Sequence, residues 1–112
     1  MNKRAVIITP TGEKSVVEFN KDTAYGIFRT ALDGYVQVVP LPFEGKEIDL
    51  WVNEDGKFRG DLEFNPIATR LWEQAYGQTD YIVGTAVFTN GTDRHGHTLG
   101  LTKEQVDALL AL

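Results

Sequence analysis

Amides, cations and aromatic rings gather in the middle of this chain: Asn53, Lys57, Arg59, Asn65 and Arg70 fall close in sequence to Trp51, Phe58 and Trp72. Brought to one concave surface, these residue types bind rather than react. Cations and free helix N–H groups hold an anion, an aromatic face stacks a planar ring, and an amide reads the edge of a base or sugar. Trp51, Asn53, Lys57, Arg59, Asn65 and Arg70 are therefore the expected ligand site. Local roles compete with it, since Asn53 suits a turn, Asn65 a helix cap and Trp72 a core.

Catalytic patterns are absent. Ser15 is the only serine and has no Gly-x-Ser-x-Gly elbow, there is no Gly-x-Gly-x-x-Gly or Walker loop, and cysteine is missing altogether. His95 and His97 would share one side of an extended segment, with Asp93 as a third ligand, but the turn-rich surroundings point to an exposed loop and no metal. Asp61 and Glu63 would share a strand face as a carboxylate pair for acid/base work or magnesium; a solvated edge is the expected outcome. No cofactor and no enzymatic activity are expected.

With 42% hydrophobic, 11% aromatic and 24% charged residues, the 112-residue chain makes one ordinary domain. Eleven Lys and Arg against sixteen Asp and Glu leave a charge of −5, which argues against nucleic acid and against an anionic membrane surface. Apolar runs are too short for a membrane span, and Met-Asn-Lys-Arg begins no signal peptide, so the expected location is the cytoplasm.

Short periodic segments must carry the site. Residues 4–9 and 14–19 read as a hairpin, and residues 22–33 as an amphipathic helix capped by Asn20 or Asp22 and stopped by a left-handed Gly34. A strand at 35–39 is interrupted by Pro40 and Pro42. Ile48, Leu50 and Val52 alternate, Asn53 to Gly56 make a turn, and Lys57 to Arg59 return as a short strand. Asn65-Pro66 starts a helix over 65–76, residues 80–88 form the core strand, and Thr102 with Gln105 opens a helix over 102–111. The expected fold is α+β, a mostly antiparallel sheet of about five to seven short strands with about three helices. Trp51 with Val106, Leu109, Leu110 and Leu112 exceeds what a short terminal helix needs, which predicts a homo-oligomer, most simply a dimer.

The segments Gly34-Tyr35-Val36-Gln37, Val52-Asn53-Glu54-Asp55-Gly56-Lys57, Asn65-Pro66-Ile67-Ala68-Thr69 and Asp80 to Gly84 together resemble a family of small proteins from bacteriophages and other bacterial mobile elements, catalogued as domain of unknown function 3846. The resemblance runs from Gly34 to the start of the last helix and departs at Arg59 to Phe64 and at Arg94 to His97. It implies a phage-like setting and brings no established activity. By analogy with other small phage proteins, the expected function is non-enzymatic sequestration of a small nucleotide-like ligand, an immune signal such as a cyclic dinucleotide or ADP-ribose derivative. The alternatives are a module that inhibits a host protein through its acidic face or a sheet edge, and a small metal-dependent hydrolase using Asp61, Glu63 or the histidines.

Overall fold

Strands apolar on both sides need helices on both sides, and a computed structural model describing residues 2–112 has that arrangement. Its elements are β1 (Lys3–Ile8), β2 (Lys14–Phe19), α1 (Ala24–Leu32), β3 (Val36–Phe43), β4 (Lys46–Asn53), α2 (Gly56–Arg59), α3 (Pro66–Tyr76), β5 (Ala86–Thr89) and α4 (Lys103–Leu110). The antiparallel sheet has the order β2-β1-β5-β4-β3, so the fold is α+β with five strands. Period-two alternation divides the core. Ala5, Phe19, Trp51 and Val87 meet Ala24, Phe28 and Leu32 of α1. Val6, Ile8, Leu50 and Phe88 meet Ala68 and Leu71 of α3 and Val106 and Leu109 of α4 on the other face. Phe28 sits between Phe19 and Trp51, its centroid 5.1 Å and 4.9 Å from theirs.

Two helix starts follow their sequence signals. Asn65 caps α3 with Pro66 behind it, and Thr102 and Gln105 form the reciprocal capping box of α4. At α1 the details differ. Thr23 occupies the cap position without a side-chain bond to the helix N–H groups; its hydroxyl accepts from the Asn20 N–H instead, and the Asn20 side chain accepts from the N–H groups of Asp22 and Thr23. The left-handed residue that ends α1 is Asp33, with φ 57°, whose N–H reaches the last carbonyls. Gly34 follows at φ 154°, a conformation that favours glycine, and a Cβ there would also stand 2.8 Å from Asn53 Nδ2.

Three further expectations are corrected. Pro40 and Pro42 do not interrupt the strand; β3 runs on to Phe43 in register with β4, because an edge strand has no outer partner to miss a proline N–H. The expected strand at Lys57 to Arg59 is the single-turn α2. Asn53 Oδ1 takes the Asp55 N–H at 2.8 Å, and the Asp55 carbonyl then accepts from Phe58 and Arg59 at 3.0 and 3.2 Å. The core strand begins only at Ala86. Before it Gly84, at φ 78°, gives its N–H to the Glu63 carbonyl, and Val83 pairs with Phe64, so residues 80–85 fold away from the sheet. Trp51, invoked for self-association, is 9% exposed and covered by α1, and of the C-terminal group only Leu110 and Leu112 remain exposed.

Candidate functional site

A half-open cleft of about 230 Å³ lies where β3 and β4 pass beneath α2, α3 and residues 80–83. Gln37, Val39 and Val52 form its floor, because Val39 and Val52 occupy strand positions facing the α3 side. Trp72 enters from α3, Lys57 and Phe58 from α2, and Tyr81, Ile82 and Val83 close the remaining side. The Trp72 indole is fixed by a 3.0 Å bond to Thr79 Oγ1 and by packing 4.6 Å from Tyr76. Tyr81 lies 6.4 Å from Phe64, and the Lys57 ammonium stands 4.4 Å above the Tyr81 ring.

Long-range polar contacts hold the rim. Asn53 Nδ2 donates to the carbonyls of Leu32 and Asp33 at 2.9 and 3.2 Å, tying the end of β4 to the end of α1. The Arg59 guanidinium donates to the Asp33 carbonyl at 2.7 Å, the Asp33 carboxylate at 2.9 Å and both oxygens of Asp61 at 3.0 and 2.8 Å. Those carboxylates raise the Arg59 pKa, and the Arg59 hydrogen bond lowers that of Asp61. Lys57 pairs with Asp80, whose carboxyl is held below the ordinary range chiefly by that hydrogen bond.

The six residues assigned from sequence do not share one surface. Asn53 and Lys57 line the cleft, although the Asn53 amide is committed to the backbone. Trp51 lies on the opposite face of the sheet, its indole N–H donating to Thr89 Oγ1 at 2.8 Å. Arg59 sits behind the rim in its carboxylate clamp. Asn65 is 0% exposed, with Nδ2 on the carbonyls of Ile8 and Gly84 and Oδ1 on the Ala68 N–H. Arg70 is exposed on α3 and outside the cleft lining. Sequence reading missed Gln37, Val39, Tyr81 and Ile82 as wall residues. The period-two pattern, which separates Val52 from Trp51, carried part of that signal.

Other chemical candidates are dispersed. His95 and His97 are exposed near the tip of a small hairpin, and Asp93 accepts their backbone N–H groups at 2.8 and 3.0 Å, which lowers its pKa. Among the described residues no group of three His, Cys, Asp or Glu side chains could hold a metal. Asp61 and Glu63 lie on no strand, and Asp61 is engaged by Arg59. Half-buried Asp49 has its pKa raised, first by burial and then by Glu47. No buried side-chain nitrogen or oxygen among the described residues lacks a partner, and none of their helices is long and apolar enough to cross a membrane. A mostly apolar floor between the Trp72 and Tyr81 side chains suits a planar ring. Anion binding is poorly provided for, since Lys57, the one cation lining the cleft among the described residues, is shared with Asp80.

No curated protein matches the chain, and no solved structure does. A family model matches it over residues 1–112, the whole chain, and that family is described as Domain of unknown function (DUF3846).

Proposed function

We propose that this chain, which belongs to the DUF3846 family, is a non-enzymatic binding protein whose cleft takes one planar ring. In its small-molecule form the ring is the base of a nucleotide-derived signal, sequestered in a bacterial cytoplasm on behalf of a phage. The observation that carries this reading is the lining itself: Val39 and Val52 beneath, Trp72 and Tyr81 at the sides. About 230 Å³ is below the roughly 300–1,000 Å³ of sites that enclose a drug-sized ligand, so one ring enters and the rest stays outside. Stacking on an aromatic face contributes about 1–3 kcal/mol per base. A phosphate outside the cleft has to share Lys57 with Asp80, so it adds little. Nucleosides should therefore bind about as well as their phosphorylated forms. Calorimetry with a cyclic dinucleotide, ADP-ribose and the parent nucleosides tests this. Comparable affinities, abolished by Tyr81→Ser, support the reading; no heat from any of them ends it.

A second reading, a protein-interaction module, is favoured by Phe58. It is 91% exposed beside the cleft on a turn clamped by Arg59, which is the presentation of an interface anchor.

A further inference from the structure

We infer that the cleft and its aromatic rim dock a basic segment of a partner protein, one of whose ring-bearing side chains enters the cleft. This rests on the interaction reading above and names the partner's chemistry.

The surface is apolar where it should bury and charged around it. Phe58, Phe64 and Tyr81 are 91%, 52% and 48% exposed, and the Tyr81 ring links Phe64 to Lys57. Four hydrogen bonds from the neighbouring Arg59 fix the turn that carries Phe58. An anchor carried on a fixed turn loses little loop freedom on binding.

Charge decides the occupant. Residues 54–64 carry four carboxylates, Glu54, Asp55, Asp61 and Glu63, against Lys57 and Arg59, and Asp80 faces Lys57 across the rim. Five acids against two bases place a net −3 here, out of −5 for the whole chain. Both bases are ion-paired, whereas Glu54, Asp55 and Glu63 form no ion pair among the described residues. A second copy docked on this face would set like charge against like charge, and a basic segment meets its complement. The nearby β3 edge does not invite strand addition. Pro40 and Pro42 have no N–H to offer, and the Tyr76 hydroxyl occupies the Pro40 carbonyl. Recognition is then by an inserted side chain, with Lys or Arg flanking it.

Fluorescence anisotropy with the full chain tests this using two labelled peptides, Lys-Arg-Trp-Arg-Lys and its charge reversal Glu-Asp-Trp-Asp-Glu. The basic peptide should bind at least about tenfold more tightly, with the gap shrinking as salt rises from about 50 to about 500 mM. Phe58→Ser and Tyr81→Ser should each weaken it severalfold while the melting temperature stays put, since both side chains are exposed. Equal affinities for the two peptides, or no saturable binding of the basic one up to about 1 mM, would overturn the inference. So would a dimer in sedimentation equilibrium that Phe58→Ser dissociates. N-acetyltryptophanamide, a ring without charge, separates the failures: if it perturbs the cleft resonances while charge has no effect, ring binding stands and docking falls. If neither it nor the peptides do so, both fall.

Discussion

Replacing Asn65 with alanine removes more than a helix cap. The side chain is fully buried and satisfies three elements at once: the Ala68 N–H of α3 at 3.0 Å, the Ile8 carbonyl ending β1 at 3.1 Å, and the Gly84 carbonyl of the bend before β5 at 2.9 Å. Loss of the cap alone costs about 1 kcal/mol. Two buried carbonyls deprived of their donor add about 1–2 kcal/mol each. The expected total is about 3–5 kcal/mol, against a stability of roughly 6–17 kcal/mol for a domain of this length. With a urea m-value of about 1.5 kcal/mol/M, the midpoint read from tryptophan fluorescence falls by roughly 2–3 M. Asn65→Asp keeps the capping oxygen but turns a second oxygen on the two carbonyls, so it should be damaging at neutral pH. It should partly recover in acid, where protonation restores one donor. A loss of about 1 kcal/mol for Asn65→Ala, equal to that of the cap alone, would refute the three-way junction.

The remaining predictions concern charge and space. Burial raises the Asp49 pKa, so the folded state holds its proton more tightly than the unfolded chain, and this group's contribution to stability is lost as pH rises through the raised value. Asp49→Asn should accordingly stabilise the protein at neutral pH and lose that advantage below about pH 4; an advantage unchanged across a pH series of denaturation curves would contradict it. Gly100→Ala brings a Cβ to 2.7 Å from Lys3 Cβ and 2.9 Å from the Arg4 backbone nitrogen, so β1 must shift, costing about 1–3 kcal/mol in a thermal melt. An unchanged melt would mean that the two segments part freely. Arg59→Ala should speed amide exchange across residues 56–59 and leave β5 protected, because its partners Asp33 and Asp61 hold only that rim; uniform loss of protection would assign Arg59 to the core instead.

Local signals were legible and distant ones were not. Asn65-Pro66 and Thr102 with Gln105 mark helix starts through side chains that act within three residues, and both starts were placed within one residue. The helical spacing of Phe28 and Leu32 and of Ala68 and Leu71 likewise identified the faces that pack on the sheet. Asn53 to Gly56 has the composition of a hairpin turn, which makes Lys57 to Arg59 look like a return strand; Gly56 instead opens α2 and takes no positive φ. What bends them includes Arg59 reaching Asp33, 26 residues earlier. In residues 80–88 composition suggested one strand, and the left-handed Gly84 with its bond to Glu63 divides it. The candidate site suffered most. Lys57 and Arg59 are cations in any sequence reading, but Asp80 and Asp33, which neutralise them, arrive from other parts of the fold. Asn65 is the same case: the Asn-Pro pair marks a cap, while its two further carbonyl partners lie 57 and 19 residues away, beyond any local signal.

Whether a planar ring enters the cleft is tested most directly by a nitrogen-15 and methyl NMR titration with adenosine and N-acetyltryptophanamide. The predicted result is saturable shifts at Val39, Val52, Ile82 and the Trp72 indole, with those at Val39, Ile82 and Trp72 lost in Val52→Phe, whose added ring occupies the same space. Shifts confined to other surfaces, or shifts at Val39, Ile82 and the Trp72 indole that persist in Val52→Phe, would contradict the account.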